Sequence, residues 1–200
     1  SASVRVQNFP AMPWRIIPNF VEKDIGDANN VSRALLLFVI LTAVRSGEAR
    51  KAQWSEFDLK QRIWTIPANR MKAQVMHRVP LSGPVMELLE KRQQTPSKRG
   101  LVFPSPRAGT ILTDMALTSF LRKHRAVSDT PGRSATAHGF RSSFRDWASE
   151  NDYPRDYAER ALAHRIKDAS EAAYHRTDLL EKRRPMMEDW ANYIVSEKKV

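Results

Sequence analysis

Hydrophobic positions in this chain repeat with a helical period over most of its length and with a strand period in one stretch. Residues 34–44 form a nearly unbroken apolar run between Arg33 and Arg45. A run that is apolar on almost all sides predicts a helix through the core, with N-cap candidates in Asn29, Asn30 and Ser32. At eleven residues it is too short to cross a bilayer. Between residues 54 and 81 the pattern shortens to strands at 57–59, 62–67 and 77–81, the last two joined by a basic hairpin tip at 68–76. This predicts a small antiparallel sheet.

The remaining segments return to the helical period. Gly83-Pro84 starts a helix with Val85, Leu88 and Leu89 as its apolar stripe, and residues 101–104 make a short buried segment. Thr113-Asp114 caps a helix expected to turn Met115, Leu117, Phe120 and Leu121 inward and to end in Arg122, Lys123, His124 and Arg125. His138 opens another, with Phe140, Phe144 and Trp147 at core spacing. Tyr153-Pro154 begins the next, directing Tyr157, Ala161 and Leu162 inward. Asp178 caps a last apolar helix, kinked at Pro185, that closes its own domain or packs on another protomer.

These elements predict an α+β fold, mainly α-helical, with a three-stranded antiparallel sheet at one edge. Residues 1–19, with prolines at 10, 13 and 18 and no helical period, read as an extended lead-in or linker lying on the domain. Residues 20–200 read as one domain, with 178–200 its C-terminal helix and frayed tail.

Composition narrows the function classes. The chain has no cysteine, which excludes thiol catalysis, disulfides and thiolate metal sites and makes an intracellular, cytoplasmic location the simplest reading. No signal-peptide pattern is apparent at the N-terminus. A net charge of +11 favours a polyanion, most often nucleic acid, although charge alone does not separate that from a ribosome-associated or membrane-surface protein.

Candidate chemistry concentrates in residues 135–176. His138 and Arg141 stand at i,i+3 and leave one helix face together. His164 follows in Leu-Ala-His, and Tyr174 comes ten residues later, beyond the polar break 165–168. A tyrosine among this many cationic donors is a candidate nucleophile, with Tyr153 and Tyr157 as competitors in packing positions. Upstream, Arg45 ends the buried helix beside Gly47, with Glu48 placed to orient the guanidinium or to cap the next helix. Lys72 sits on the hairpin tip. Each group alone reads first as a solvated or packing residue, the reading that His77, His124 and His175 keep.

Taken together, Arg45 in Thr-Ala-Val-Arg-Ser-Gly-Glu, Lys72, His138 with Arg141, His164 and Tyr174 resemble the tyrosine recombinase or phage integrase family, in the catalytic domain of its prophage-integrase branch. The resemblance covers residues 38–193. The chain departs from the family pattern at Phe140, where leucine is common, and at Ala163, where glycine often precedes the second histidine, and both read as packing changes. Family members usually carry DNA-binding domains upstream, which this chain begins too late to hold.

The resemblance implies the tyrosine-recombinase catalytic fold and a site-specific DNA recombinase. Arg45 and Arg141 would neutralise the phosphodiester, His138 and His164 would donate hydrogen bonds to it, and His138 would help deprotonate the phenol. Tyr174 would attack phosphorus to form a 3′-phosphotyrosyl link, with Lys72 protonating the leaving 5′-oxygen. No metal or cofactor is implied. The implied partners are double-stranded DNA attachment sites, a homo-tetramer in the synaptic complex with a monomer for the isolated domain, and accessory DNA-bending proteins, with no membrane. The competing readings are a non-catalytic DNA-binding module and type IB topoisomerase-like relaxation.

Overall fold

A computed structural model describes residues 8–95, 97–107, 109–165, 168–174 and 176–196, with the side chain of Tyr174 outside the described set. Expectations for residues 1–7, for His175 and for the tail from 197 therefore fall outside the described residues. In chain order the helices and strands are α1 (Ile17–Phe20), α2 (Val31–Thr42), α3 (Ser46–Arg50), β1 (Phe57–Asp58), β2 (Ile63–Ile66), β3 (His77–Pro80), α4 (Gly83–Gln93), α5 (Met115–Lys123), α6 (Gly139–Glu150), α7 (Arg155–Ala161), α8 (Ala169–Tyr174) and α9 (Leu180–Val195). The fold is mainly helical with a small antiparallel sheet in the order β1-β2-β3.

The apolar run is the centre of the molecule. Asn30 caps α2 by accepting from the Arg33 N–H at 2.9 Å, and every residue from Ala34 to Thr42 is buried. Helices α4, α5, α6 and α9 pack around it. The last helix docks on its own chain: the Trp190 indole donates to the Ile40 carbonyl at 2.8 Å, and α9 also lies against β3, α4 and α7. Pro185 sits inside α9, near its start.

Strand register places Trp64 opposite Val79 and Ile66 opposite His77, turning Trp64 and Ile66 inward. Phe57 stacks on Trp64 at 5.3 Å, and Phe38 of α2 meets the same indole. The sheet is thus anchored to α2, and the hairpin between β2 and β3 projects from a fixed base.

Two local expectations differ from what the fold shows. Residues 14–20 are helical: a 3₁₀ turn (Trp14–Ile16) runs into α1, and Ile17 and Phe20 are buried. Pro18 occupies the first turn of α1, where a missing N–H costs nothing, so prolines conceal a helix here. Met115 is exposed while Leu117 and Leu121 are buried. At 100° per residue, Met115 lies about 200° from Leu117 and faces the other way.

The segment before α1 is pinned to α6 and the loop ahead of it. Thr136 N–H donates to the Pro10 carbonyl at 3.0 Å, Ser143 Oγ donates to the Met12 carbonyl at 2.5 Å, and Ala11 exchanges two hydrogen bonds with Asp129. Gly139 is required beneath it, since a Cβ there would overlap the Pro10 carbonyl.

Candidate active site

The site assembles where two helix C-termini meet. Helix α2 ends at Ala43 with φ of 57°, and α7 ends through Leu162 into Ala163 with φ of 52°. Arg141, 4% exposed, lies between them: Nη1 donates to the Ala43 carbonyl and Nη2 to the Leu162 carbonyl, each at 2.7 Å. A guanidinium suits this place because both helix ends present unpaired carbonyls and partial negative charge. Burial nonetheless pulls its pKa down to about 10, with Arg45 contributing and Glu48 opposing. The fork expected to grip two phosphate oxygens thus grips two main-chain carbonyls, and among the described residues Nε and the second N–H of each Nη have no hydrogen-bond partner.

Arg45 emerges at the break between α2 and α3. Glu48 fills both roles considered for it: it accepts from the Arg45 backbone N–H at 3.2 Å, capping α3, and from Arg45 Nη1 at 3.4 Å, orienting the guanidinium. Glu48 is buried and Arg45 partly exposed, so the pair holds the arginine head toward solvent.

Helix α7 closes in a Schellman motif. The Ala163 N–H bonds to the Arg160 carbonyl and the His164 N–H to the Glu159 carbonyl, both at 3.1 Å. The turn requires a left-handed residue at 163, which alanine adopts at a cost. The Ala163 departure is therefore one of backbone conformation, not of packing. The same turn brings the His164 ring back onto Glu159, whose Oε2 lies 2.5 Å from Nδ1. Arg145 of α6 faces the other oxygen of that carboxylate at 2.7 Å. Glu159 and Arg145 were not singled out by sequence. Their signals were Arg145 four positions after Arg141, on the same face, and an acidic residue one helical turn or so before a candidate histidine.

A cleft of about 1030 Å³ opens over these groups, its wall including Arg45, Lys72, Arg145, Glu159 and His164. Lys72 reaches it from the exposed hairpin between β2 and β3. His138 and Arg141 are set back from that wall. His138 immediately precedes α6, its ring 4.2 Å from that of Phe9. Burial lowers its pKa to about 4, and the charges of Arg141, Arg45, His164 and Lys72 push it the same way. One imidazole thus senses all four of the other described candidate groups, and it is neutral at pH 7. Tyr174 is the last residue of α8, beyond the cleft residues Asp168 and Glu171; its side chain lies outside the described residues.

The competing tyrosines are occupied elsewhere. Tyr153 donates its hydroxyl to Asp189, and burial together with that carboxylate raises its pKa. Tyr157 packs against the core. Of the histidines read as structural, His77 is buried in β3, and His124 pairs with Asp24 at 3.0 Å.

Comparison with known proteins identifies the family. The model of the phage integrase family matches residues 17–179. Prophage integrase IntA of Escherichia coli (strain K12) is 35% identical over 164 residues, which is 82% of this chain and 38% of that protein. The integrase from mycobacterium phage Brujita superposes with a TM-score of 0.66 at 19% identity, covering 97% of this chain and 66% of that one. The Tn1549 transposon integrase, solved in complex with a circular intermediate DNA, gives 0.58 at 12% identity, covering 88% and 68%. The chain spans about half the length, or less, of the curated relatives it matches. With a family match across most of its length and a recombinase-like helical core, the chain belongs to the phage integrase family.

Proposed function

We propose that this chain is the catalytic part of a site-specific DNA recombinase that integrates or excises a mobile element through a covalent 3′-phosphotyrosyl intermediate. The observation that carries the reading is the shared electrostatic site: the charges of Arg45, Lys72, Arg141 and His164 all act on His138, and Arg45, Lys72 and His164 line one cleft of about 1030 Å³. Binding energy comes largely from the +11 charge and phosphate contacts, so affinity falls steeply with salt.

Arg45 and the free N–H groups of Arg141 neutralise the non-bridging oxygens, offsetting the charge that builds up as phosphorus becomes five-coordinate. Neutral His138 can accept the phenolic proton. Tyr174 Oη then bonds to phosphorus while the bond to the 5′-oxygen breaks, and Lys72 donates a proton to that leaving oxygen. The bond energy stays in the phosphotyrosine, so attack by a 5′-hydroxyl from a second strand reverses the step and completes exchange. On two duplexes the assembly is a homo-tetramer, joined by DNA-bending accessory proteins, and it works in the cytoplasm on the nucleoid.

Trapping tests this directly. Incubation with nicked suicide duplexes covering an attachment site should yield a denaturation-resistant protein–DNA band. Tyr174→Phe should abolish the band while sparing binding, and Tyr153→Phe should leave it intact. Binding without a band from wild type on any such duplex would reduce the chain to a DNA-binding module.

A further inference from the structure

The cleft holds a carboxylate that the scheme above does not use. Glu159 accepts from the His164 backbone N–H through its main-chain carbonyl at 3.1 Å and meets the His164 ring through Oε2 at 2.5 Å. Main chain and side chain of the same residue thus hold the histidine twice. An ionised carboxylate only accepts, so His164 Nδ1 carries the proton and Nε2 is the atom left for the cleft that His164 lines. In that tautomer a neutral His164 offers a phosphate only a lone pair. It becomes a donor only as the imidazolium.

We propose that Glu159 is the positioning residue of the site: it fixes the His164 tautomer and sustains the imidazolium whose Nε2–H is directed at a phosphate oxygen. The proposal rests on the recombinase reading for the identity of that phosphate. The charged groups that act on the His164 ring or share its cleft come from several elements. Arg141 and Arg145 stand on α6, His138 ahead of it and Glu159 on α7, with Lys72 on the hairpin and Arg165, Asp168 and Glu171 along the cleft. Burial leaves the His164 pKa below its ordinary value; the hydrogen bond and charge of Glu159 work against burial, and Arg141 and Arg145 add to the lowering. Arg145 Nη2 lies 2.7 Å from Oε1 and forms an ion pair with the carboxylate on the side away from His164. The arrangement follows the logic of a carboxylate that orients a histidine and stabilises its protonated form.

Two readouts test this. In the first, the His164 ring is titrated by NMR, with His164→Gln assigning the signal. Glu159→Gln keeps an acceptor for Nδ1–H but removes the charge, and should lower the His164 pKa by about one unit, whereas Arg145→Gln should not lower it. In the second, covalent attachment to a suicide duplex is followed against pH. The wild-type rate should fall as pH rises through the His164 pKa, and Glu159→Gln should move that fall to lower pH. His164→Trp carries a permanent N–H donor, so adding Glu159→Gln to it should leave the profile unchanged. An unmoved His164 pKa, or an equal loss at every pH with and without the histidine, would make Glu159 a structural contact and overturn the proposal. A shifted pKa with no covalent product from wild type would instead keep the pairing and overturn the recombinase reading.

Discussion

Arg78 and Asp178 are joined by two parallel hydrogen bonds of 2.7 Å across 100 residues of chain. Arg183, 1% exposed, braces both partners from behind: Nε donates to the Asp178 carbonyl at 2.9 Å and Nη2 to the Arg78 carbonyl at 2.8 Å. The clamp ties the segment that follows Tyr174 to β3, so the sheet fixes one end of the stretch that carries the proposed nucleophile.

Breaking the clamp should therefore affect chemistry more than folding. Asp178→Ala should cost about 1–2 kcal/mol in urea unfolding, because the ion pair is partly exposed. Arg183→Met removes a buried guanidinium from two partly buried carbonyls and should cost about 2 kcal/mol. Arg78 holds the Asp178 carboxyl below its ordinary value, so its contribution is present above about pH 4 and lost as pH falls through the folded value. In Asp178→Ala the yield of covalent complex should drop well beyond what the unfolded fraction explains.

Arg141→Lys separates charge from geometry. An ammonium keeps the positive charge but cannot span the Ala43 and Leu162 carbonyls, which the planar fork reaches together. The expected cost is about 2–3 kcal/mol in denaturant unfolding, with loss of covalent trapping even at temperatures where the variant is folded. Full trapping by a destabilised variant would show that the guanidinium is only a strut.

Much of this was legible in the sequence, and the reasons are local. Helix α2 announced itself because nothing polar interrupts it between Ala34 and Leu41, and Phe140, Phe144 and Trp147 because one face needed all three. The sheet showed in its short alternating runs. What sequence could not supply were relationships made by distant chain. The helical stretch 14–20 was hidden by prolines that suit a helix start. The engagement of the Arg141 fork depends on two helix ends, 98 and 21 residues away, meeting at one place. Ala163 looked like a side-chain substitution because its φ cannot be read from neighbouring letters.

That φ gives a stabilising substitution. At 52°, Ala163 pays the left-handed penalty of an L side chain, and Ala163→Gly should relieve it. Glycine also gains freedom in the unfolded chain, so the net gain should be about 0.5–1 kcal/mol, read as a higher midpoint in urea. A loss of stability would mean that the Ala163 methyl contributes more by packing than it costs in backbone strain.

Acid sensitivity should trace to His77 before any carboxylate. Its ring is buried in β3 at 7% exposure, and burial, then the charge of Arg183, lowers its pKa to about 3, against a hydrogen bond with the Ala161 backbone that raises it. The unfolded chain takes up a proton near pH 6.5 that the folded chain refuses until about pH 3, so the contribution is complete above pH 6.5 and is lost across that window. Each pH unit within it removes about 1.4 kcal/mol per histidine. His138, lowered to about 4, adds a second such loss over the upper part of the window. Urea unfolding measured from pH 7 to pH 4 should therefore show a slope that His77→Gln reduces, since glutamine keeps a donor for the Ala161 carbonyl but cannot titrate. An unchanged slope would show that His77 is protonated in the folded protein well above pH 4.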